Sequence, residues 1–479
     1  MRKIYYIVLS VVLTMSTASC DSWLDINTDP NKATEVDPDV LYNYAMMSWA
    51  ANRCSGDLYF PLVWGGQTQS TGGSKGWGNV NVYDISPYSL GNTWKVFYAS
   101  SGANLQQAIK IAESASPARP NVAAQCKINF AHLVYTATIL HGDIPYSEGW
   151  NIAIDYPKFD TQKDILEGLI VLLDQAIAQI DVNSRLTMTK YDLAYGGDLD
   201  KWVRYANSLK FRIAMVMVDK DPSKTTMIAN LLNANKMINS SAGDFKIPFE
   251  DAADKENPKF RYFKKYTNGV NIEFFANKLV VDPLNAKNDP RLPKYFDKGV
   301  SAATFIGIGA NDEAVTGQTA LVSSFVFRAK SPELFFSYQE QLFLEAEAYA
   351  RGLGVAKDIS KANQLYKQAM IAAMKYYEVT DADINKYVSE NLSDLTTLSD
   401  PVREIHLQQW IDFMDRPLEA FTQWRRSGKE GFEVPELPIP RNASPAKLMR
   451  RWTYSPDEAS ANPNTPSVDV MTDKVWFDE

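Results

Sequence analysis

The chain has 479 residues, of which 45% are hydrophobic and 22% charged, and its formal net charge is −8. These proportions are ordinary for a folded globular protein and exclude a disordered one. No basic run occurs beyond the two residues after Met1, so the clustered positive charge that a nucleic-acid-binding protein needs is missing. The composition therefore argues against nucleic acid as a partner.

The N-terminus has the pattern of an export signal. An apolar run from Ile4 to Leu13 follows two basic residues and is only about half the roughly 20 residues that span a bilayer. Small residues then precede Cys20, an arrangement that resembles the lipobox of bacterial lipoproteins, although Thr17 stands where leucine is usual. We expect a lipoprotein signal peptide at 1–19, with Cys20 as the lipidated residue of a tether at 20–38. An ordinary signal peptide with an incidental cysteine is the alternative.

Helical periodicity dominates the rest of the chain, because apolar residues recur at alternating steps of three and four. Capping residues and prolines mark several helix starts. The expected helices cover Asp39–Asn52, Trp94–Glu113, Asn121–His141, a segment capped by Thr161, a segment around Trp202–Val216, Ser223–Lys236, a segment that begins at Ser331-Pro332-Glu333, Lys357–Tyr377 and a long final helix from Asp400 to about Arg426.

Pairs of helices joined by short turns are typical of tetratricopeptide-like repeats. We therefore predict a mostly α fold of tetratricopeptide-like helix pairs, with an irregular layer of loops and short strands. One domain is expected over 39–479, with helical repeats at about 94–236 and 331–426 and the irregular layer at about 55–93, 243–330 and 427–479.

Motifs of catalysis and metal binding are missing from the sequence. It contains no G-x-S-x-G, P-loop, H-E-x-x-H or C-x-x-C motif, and only three histidines. Asp143 and Glu148 could serve as a carboxylate pair, but we favour a capping role for them. Asp381, Asp383 and Asn385 have the spacing of a calcium loop that then fails at its glycine and final carboxylate positions. We expect no enzyme and no cofactor; a structural Ca²⁺ is not indicated.

Two cysteines follow Cys20 in the sequence. Cys126 lies on an apolar helix face, which favours a buried free thiol. A disulfide with Cys54 is compatible with an exported protein, and the sequence leaves this open.

Several segments, taken in order along the chain, resemble the SusD/RagB-like outer-membrane lipoproteins. Each is weak alone, and together they cover nearly the whole chain. In addition to Cys20, they are Ile139–Trp150 (ILHGDIPYSEGW), Trp202–Met215 (WVRYANSLKFRIAM), Asp289–Leu292 (DPRL), Pro401–Gly428, Ile439–Arg441 (IPR) and Tyr454–Glu458 (YSPDE).

The resemblance implies an α-helical fold of about four tetratricopeptide-like units with an irregular ligand-facing layer. It also implies a surface protein that closes a SusC-like TonB-dependent transporter of the outer membrane of a Gram-negative bacterium. Such proteins are not enzymes; they bind glycans, or peptides in some members, and pass them to the transporter. A surface glycoside hydrolase accessory and an interaction protein without its own ligand are the alternatives.

Candidate ligand-binding residues come from a stretch rich in glycine, amides and aromatic rings. Sugars present C–H faces that stack on flat rings, and amides satisfy their hydroxyls. The candidates are Trp64, Gln67, Trp77, Asn79, Tyr83 and Trp94. For Trp94, which is expected to open a helix, a place in the core is equally compatible with the sequence.

Overall fold

The structure, a computed structural model, describes residues 36–68, 79–468 and 470–478. Within these residues, no helix is long and apolar enough to cross a membrane. The helices are α1 (Pro38–Arg53), α2 (Tyr59–Gly65), α3 (Pro87–Lys95), α4 (Asn104–Ser114), α5 (Pro120–His141), α6 (Gln162–Gln179), α7 (Leu199–Met217), α8 (Lys224–Ala234), α9 (Pro258–Tyr266), α10 (Lys278–Ala286), α11 (Leu292–Tyr295), α12 (Tyr338–Arg351), α13 (Ile359–Tyr376), α14 (Asp381–Glu390), α15 (Pro401–Asp412), α16 (Pro417–Arg425) and α17 (Pro456–Ala461). A π-helical segment, Val96–Ala103, joins α3 to α4.

Short strands accompany these helices. They are β1 (Phe245–Ile247), β2 (Phe296–Asp297), β3 (Leu321–Val322) and β4 (Glu333–Phe336). β1 pairs antiparallel with β4, and β2 pairs antiparallel with β3. Three of the four lie in the predicted irregular region at 243–330, where α9, α10 and α11 were not predicted.

The mostly α, repeat-like architecture is confirmed. α4 packs on α5, α5 on α6, α7 on α8, and α12 on α13. α6 begins where predicted, because the Thr161 side chain accepts a hydrogen bond from the amide of Asp164. The periodic apolar faces therefore located these helices correctly, since each buries its apolar residues against a neighbouring helix.

The helix predicted to begin at Ser331-Pro332-Glu333 is wrong. All four residues of β4 are buried, and α12 begins only after Ser337, which caps it by accepting from the amide of Glu340. A short continuous apolar run that is covered on both faces is typical of a buried strand. The proline at 332 precedes that strand and does not open a helix.

The predicted long final helix is interrupted. α15 ends at Asp412 and α16 begins at Pro417, with a 3₁₀ turn between them. Proline disfavours helical backbone at the residue before it, and Arg416 has a φ of −129°, outside the helical range.

The residues with the spacing of a calcium loop, Asp381, Asp383 and Asn385, form the first turns of α14.

Large aromatic side chains lie mostly in the core, as the composition suggested. The tryptophans with almost no exposed surface are Trp49, Trp64, Trp202, Trp410, Trp424 and Trp452. Cys54 and Cys126 are both buried free thiols, so they do not form a disulfide. The Cys54 thiol donates to a carboxylate oxygen of Glu333 at 2.9 Å.

Buried ion pairs connect helices that are far apart in the sequence. Glu340 of α12 accepts from Arg212 of α7 at 2.6 Å and also from Arg416. Arg53 of α1 donates to Glu333 and to Glu419 of α16. All of these side chains are at most 6% exposed. The pairs fix how the helical units join around β4.

Candidate ligand-binding site

The segment Ile139–Trp150, which we call the corner, contains the last residues of α5 and the turn that follows them. Gly142, which has a positive φ of 80°, caps the end of α5. The Asp143 carboxylate accepts from the amide of Gln162 at 2.8 Å, at the start of α6. The Glu148 carboxylate accepts from the amide of Lys158 at 2.9 Å. The capping role predicted for this acidic pair is therefore confirmed.

Aromatic rings line the outer side of this corner. Trp150 stacks on Tyr98 with ring centroids 5.0 Å apart, and Trp94 lies against the other side of Tyr98 at 4.7 Å. The Tyr98 hydroxyl donates to the carbonyl of Pro145, and the Trp150 indole donates to the carbonyl of Tyr98. Burial raises the pKa of Tyr98 well above its usual range, so this hydroxyl stays protonated as a donor.

The segment Tyr454–Glu458 forms the opposite wall. Tyr454 donates its hydroxyl to the carbonyl of Asp143 at 2.8 Å. The Trp94 indole donates to a carboxylate oxygen of Glu458 at 3.3 Å, and Asn462 donates to the other oxygen. Two segments that carry the family resemblance are thus in direct contact.

An open cleft of about 710 Å³ lies between these walls, and we call it the Trp94 cleft. Its lining includes Tyr88, Asn92, Trp94, Lys95, Tyr98, Pro145, Asp457 and Glu458. Tyr88 is 83% exposed and stands on the first turn of α3, where Ser86 caps the helix and Pro87 begins it. The cleft therefore combines one free aromatic ring with exposed amide, ammonium and carboxylate groups.

The Trp94 cleft offers groups that can bind a ligand. Asp457 and Glu458 are neighbours in one helical turn, whereas a glycoside hydrolase places its two carboxyl groups on opposite sides of the bond that it cleaves. Among the described residues, no group of three or more histidine, cysteine, aspartate or glutamate side chains could hold a metal ion. The groups present can stack on a ring and exchange hydrogen bonds with hydroxyls.

The structure separates the predicted ligand-binding residues. Trp64 lies in α2, is 1% exposed and stacks on Phe274 at 4.5 Å, so it cannot offer a ring face to a ligand. Tyr83 is also buried and adopts a left-handed backbone with φ of 73°. The prediction that these two rings are surface platforms is wrong, because the fold buries both of them, and Phe274, about 210 positions after Trp64, covers the Trp64 ring.

Gln67 lies at a second, smaller cleft of about 280 Å³. Its side-chain amide donates to the carbonyl of Pro438 at 2.8 Å, and its backbone carbonyl accepts from Asn277 at 2.6 Å. Gln67 is 2% exposed, and its side-chain oxygen accepts no hydrogen bond from any described residue. The residue is therefore an internal brace.

The other candidates have different surroundings. Asn79 is exposed, while Trp77 and Cys20 lie outside the described residues. Trp94 is 7% exposed, which confirms its place in the core, but it lies near the end of α3 and does not open a helix. It also lines the larger cleft, and its role in ligand binding stays a prediction. Tyr98, Asp457 and Glu458 also line the larger cleft and were not predicted to do so. Asp457 and Glu458 lie in a segment that carries the family resemblance, whereas Tyr98 lies outside all of those segments.

Comparisons with known proteins identify the fold and the family. A profile of the SusD-like family, described as "Starch-binding associating with outer membrane", matches residues 30–455. A solved chitin-binding protein is 23% identical, with a TM-score of 0.77 over 92% of this chain and 100% of its own.

A SusD homologue from Bacteroides uniformis is 20% identical, with a TM-score of 0.75 over 92% of this chain and 99% of its own. A SusD homologue from Parabacteroides distasonis is 20% identical, with a TM-score of 0.76 over 92% of this chain and 97% of its own. No curated protein sequence matches the chain significantly. Because the family profile spans most of the chain, and the fold agrees, the protein belongs to the SusD-like family.

Proposed function

We propose that this protein is a cell-surface glycan-binding protein that captures an oligosaccharide in the Trp94 cleft and passes it to a SusC-like TonB-dependent transporter. One observation carries the proposal: the exposed ring of Tyr88 stands beside the Trp94–Tyr98 wall and the carboxylates of α17. A sugar ring would stack its C–H face on Tyr88 while its hydroxyls bond to Asn92 and Asp457.

The comparisons support a glycan as the ligand class. The family description mentions starch binding at an outer membrane, and one structural neighbour is a chitin-binding protein. The protein would bind without cleaving, since its cleft carboxylates come from one helical turn.

A peptide ligand is the second candidate, and the charged rim of the cleft favours it. Lys95 and Asp457 are both exposed there and would pair with the charged groups of a peptide. Peptides and oligosaccharides tested side by side separate the two candidates.

We propose that the protein acts at the outer face of the outer membrane, where a lipid on Cys20 anchors it. The small residues before Cys20 and the short apolar run support this anchor. Changing Cys20 to alanine should move the protein from the membrane fraction to the soluble fraction. Full retention in the membrane fraction would refute the lipid anchor.

Changing Tyr88 to alanine should weaken glycan binding by about 1–2 kcal/mol, a factor of roughly 5–30, because a stacking ring is lost. Stability should change by less than about 0.5 kcal/mol, since the ring is largely exposed. Calorimetric titration with the oligosaccharides that bind measures the first effect, and urea unfolding measures the second.

The matched control is Tyr266→Ala. Tyr266 is 63% exposed, ends α9 and lies outside the lining of the Trp94 cleft. It should leave the affinity unchanged. Equal affinities for the wild type and Tyr88→Ala would place the glycan elsewhere on the protein.

A further inference from the structure

A third open cleft, of about 610 Å³, lies on the outer face of α1, and we call it the tether cleft. Tyr44, Met47 and Ala51 of α1 form one side. Leu193 and Phe249 contribute apolar surface from other segments. Most of the surface that lines the cleft is apolar, although Asn43, Ser48 and five charged side chains also contribute to it, so the cleft fits a largely apolar segment with polar neighbours.

An exposed apolar stripe leads into this cleft. Val40 and Tyr44 of α1 are 46% and 54% exposed and stand four residues apart. On a helix this spacing places side chains on one face, which normally packs against another segment. The stripe begins close to Val36, the first described residue, so the chain that precedes Val36 is the nearest candidate to cover it.

The sequence before Val36 has suitable apolar residues. Trp23, Leu24 and Ile26 stand together in an otherwise polar stretch.

Length permits this arrangement. Ten residues separate Ile26 from Val36 and span at most roughly 33–36 Å when extended. Ala51, at the far end of the cleft, is thirteen residues beyond Pro38, which is roughly 20 Å along a helix. The apolar group of the tether therefore reaches every part of the cleft.

The charged residues at the rim of the tether cleft do not repel an acidic segment. Glu250 pairs with Lys255 at 3.1 Å, and Asp254 pairs with Arg261 at 3.3 Å. The rim carboxylates are thus balanced by cations. Asp21 and Asp25 of the tether would approach a surface of little net charge.

We propose that the segment Trp23–Ile26 of this chain docks in the tether cleft and covers the apolar stripe of α1. Docking would shorten the free tether from the whole stretch before Val36 to the few residues next to Cys20. The domain would then be held close to the membrane surface. This consequence rests on the proposed lipid anchor, whereas docking itself does not.

Disulfide trapping tests the docking independently of the anchor. The chain from residue 20 onward carries Cys20→Ser, together with Asp25→Cys in the tether and Ser48→Cys in the cleft. The control pairs Asp25→Cys with Ser114→Cys. Ser114 is exposed and lies near the start of α1, because Arg119 shortly after it pairs with Asp37 at 3.0 Å.

A docked tether should form the disulfide between positions 25 and 48 at least about tenfold faster than the one between positions 25 and 114 under mild oxidation, owing to its higher effective concentration. Adding Trp23→Ser and Leu24→Ser should remove that preference. Equal rates for the two pairs, or no link to position 48, would overturn the proposal. Disulfide-linked dimers through position 48 would also overturn it, because a second copy would then be the occupant.

Discussion

Replacing Glu340 by alanine is expected to lower the free energy of unfolding by about 3–5 kcal/mol, because it leaves two buried arginines without their shared carboxylate. Arg212 and Arg416 are 6% and 5% exposed, and both donate to Glu340. Urea unfolding measures the loss.

Two comparison variants test whether the loss of stability comes from the unpaired buried charges. Glu390→Ala, at an exposed position at the end of α14, should change stability by less than about 0.5 kcal/mol. Changing Arg212, Glu340 and Arg416 together to apolar residues should recover much of the loss, since no charge is then left unpaired. A stability of Glu340→Ala equal to that of the wild type would show that these ion pairs do not join the helices.

Replacing Asp412 by asparagine is expected to stabilise the protein at alkaline pH and to have little effect near pH 4. Asp412 is 2% exposed, and neither carboxylate oxygen accepts a hydrogen bond from a described residue. Burial raises the pKa of this carboxyl from 3.8 to about 7, against the opposing pull of Arg416 and Arg291.

The direction of this pH dependence follows from the number of protons that the folded and the unfolded protein bind. Between about pH 4 and 7 the folded protein keeps a proton on Asp412 that the unfolded chain has lost, so the free energy of unfolding falls as pH rises. At roughly 1.4 kcal/mol per pKa unit, the cost above pH 7 is about 4 kcal/mol, and asparagine avoids it.

Urea unfolding of the wild type and Asp412→Asn at pH 4, 6 and 8 tests this expectation. The difference between the two proteins should grow in favour of the variant as pH rises. Asp457→Asn, which removes an exposed carboxyl, is the matched control. A difference that stays constant with pH would mean that Asp412 is ionised in the folded protein throughout this range.

Local sequence patterns were sufficient to predict much of the helical architecture. The helices α5, α6, α7 and α13 show their apolar faces every three or four residues, and each begins near the predicted residue. The strand β4 was missed because its pairing partner β1 lies about 90 residues earlier, beyond any local pattern. The proline before β4 suggested a helix start instead.

The candidate site was harder to predict, since its walls come from three distant segments. Trp64 resembles a surface ring in a glycine-rich stretch, but Phe274 covers it from the irregular layer. Conversely, Tyr98 occurs within a helical run and gave no local sign of lining a cleft. Only the contact between Trp94 and Glu458, far apart in the sequence, reveals the site.

The most direct measurement of the central claim is a calorimetric titration of the purified wild-type protein with a panel of oligosaccharides and peptides, followed by product analysis. We predict saturable binding of at least one oligosaccharide, no binding of the peptides and no cleavage products. Binding of peptides alone, or release of shorter sugars, would contradict a glycan-binding protein that captures its ligand without cleaving it.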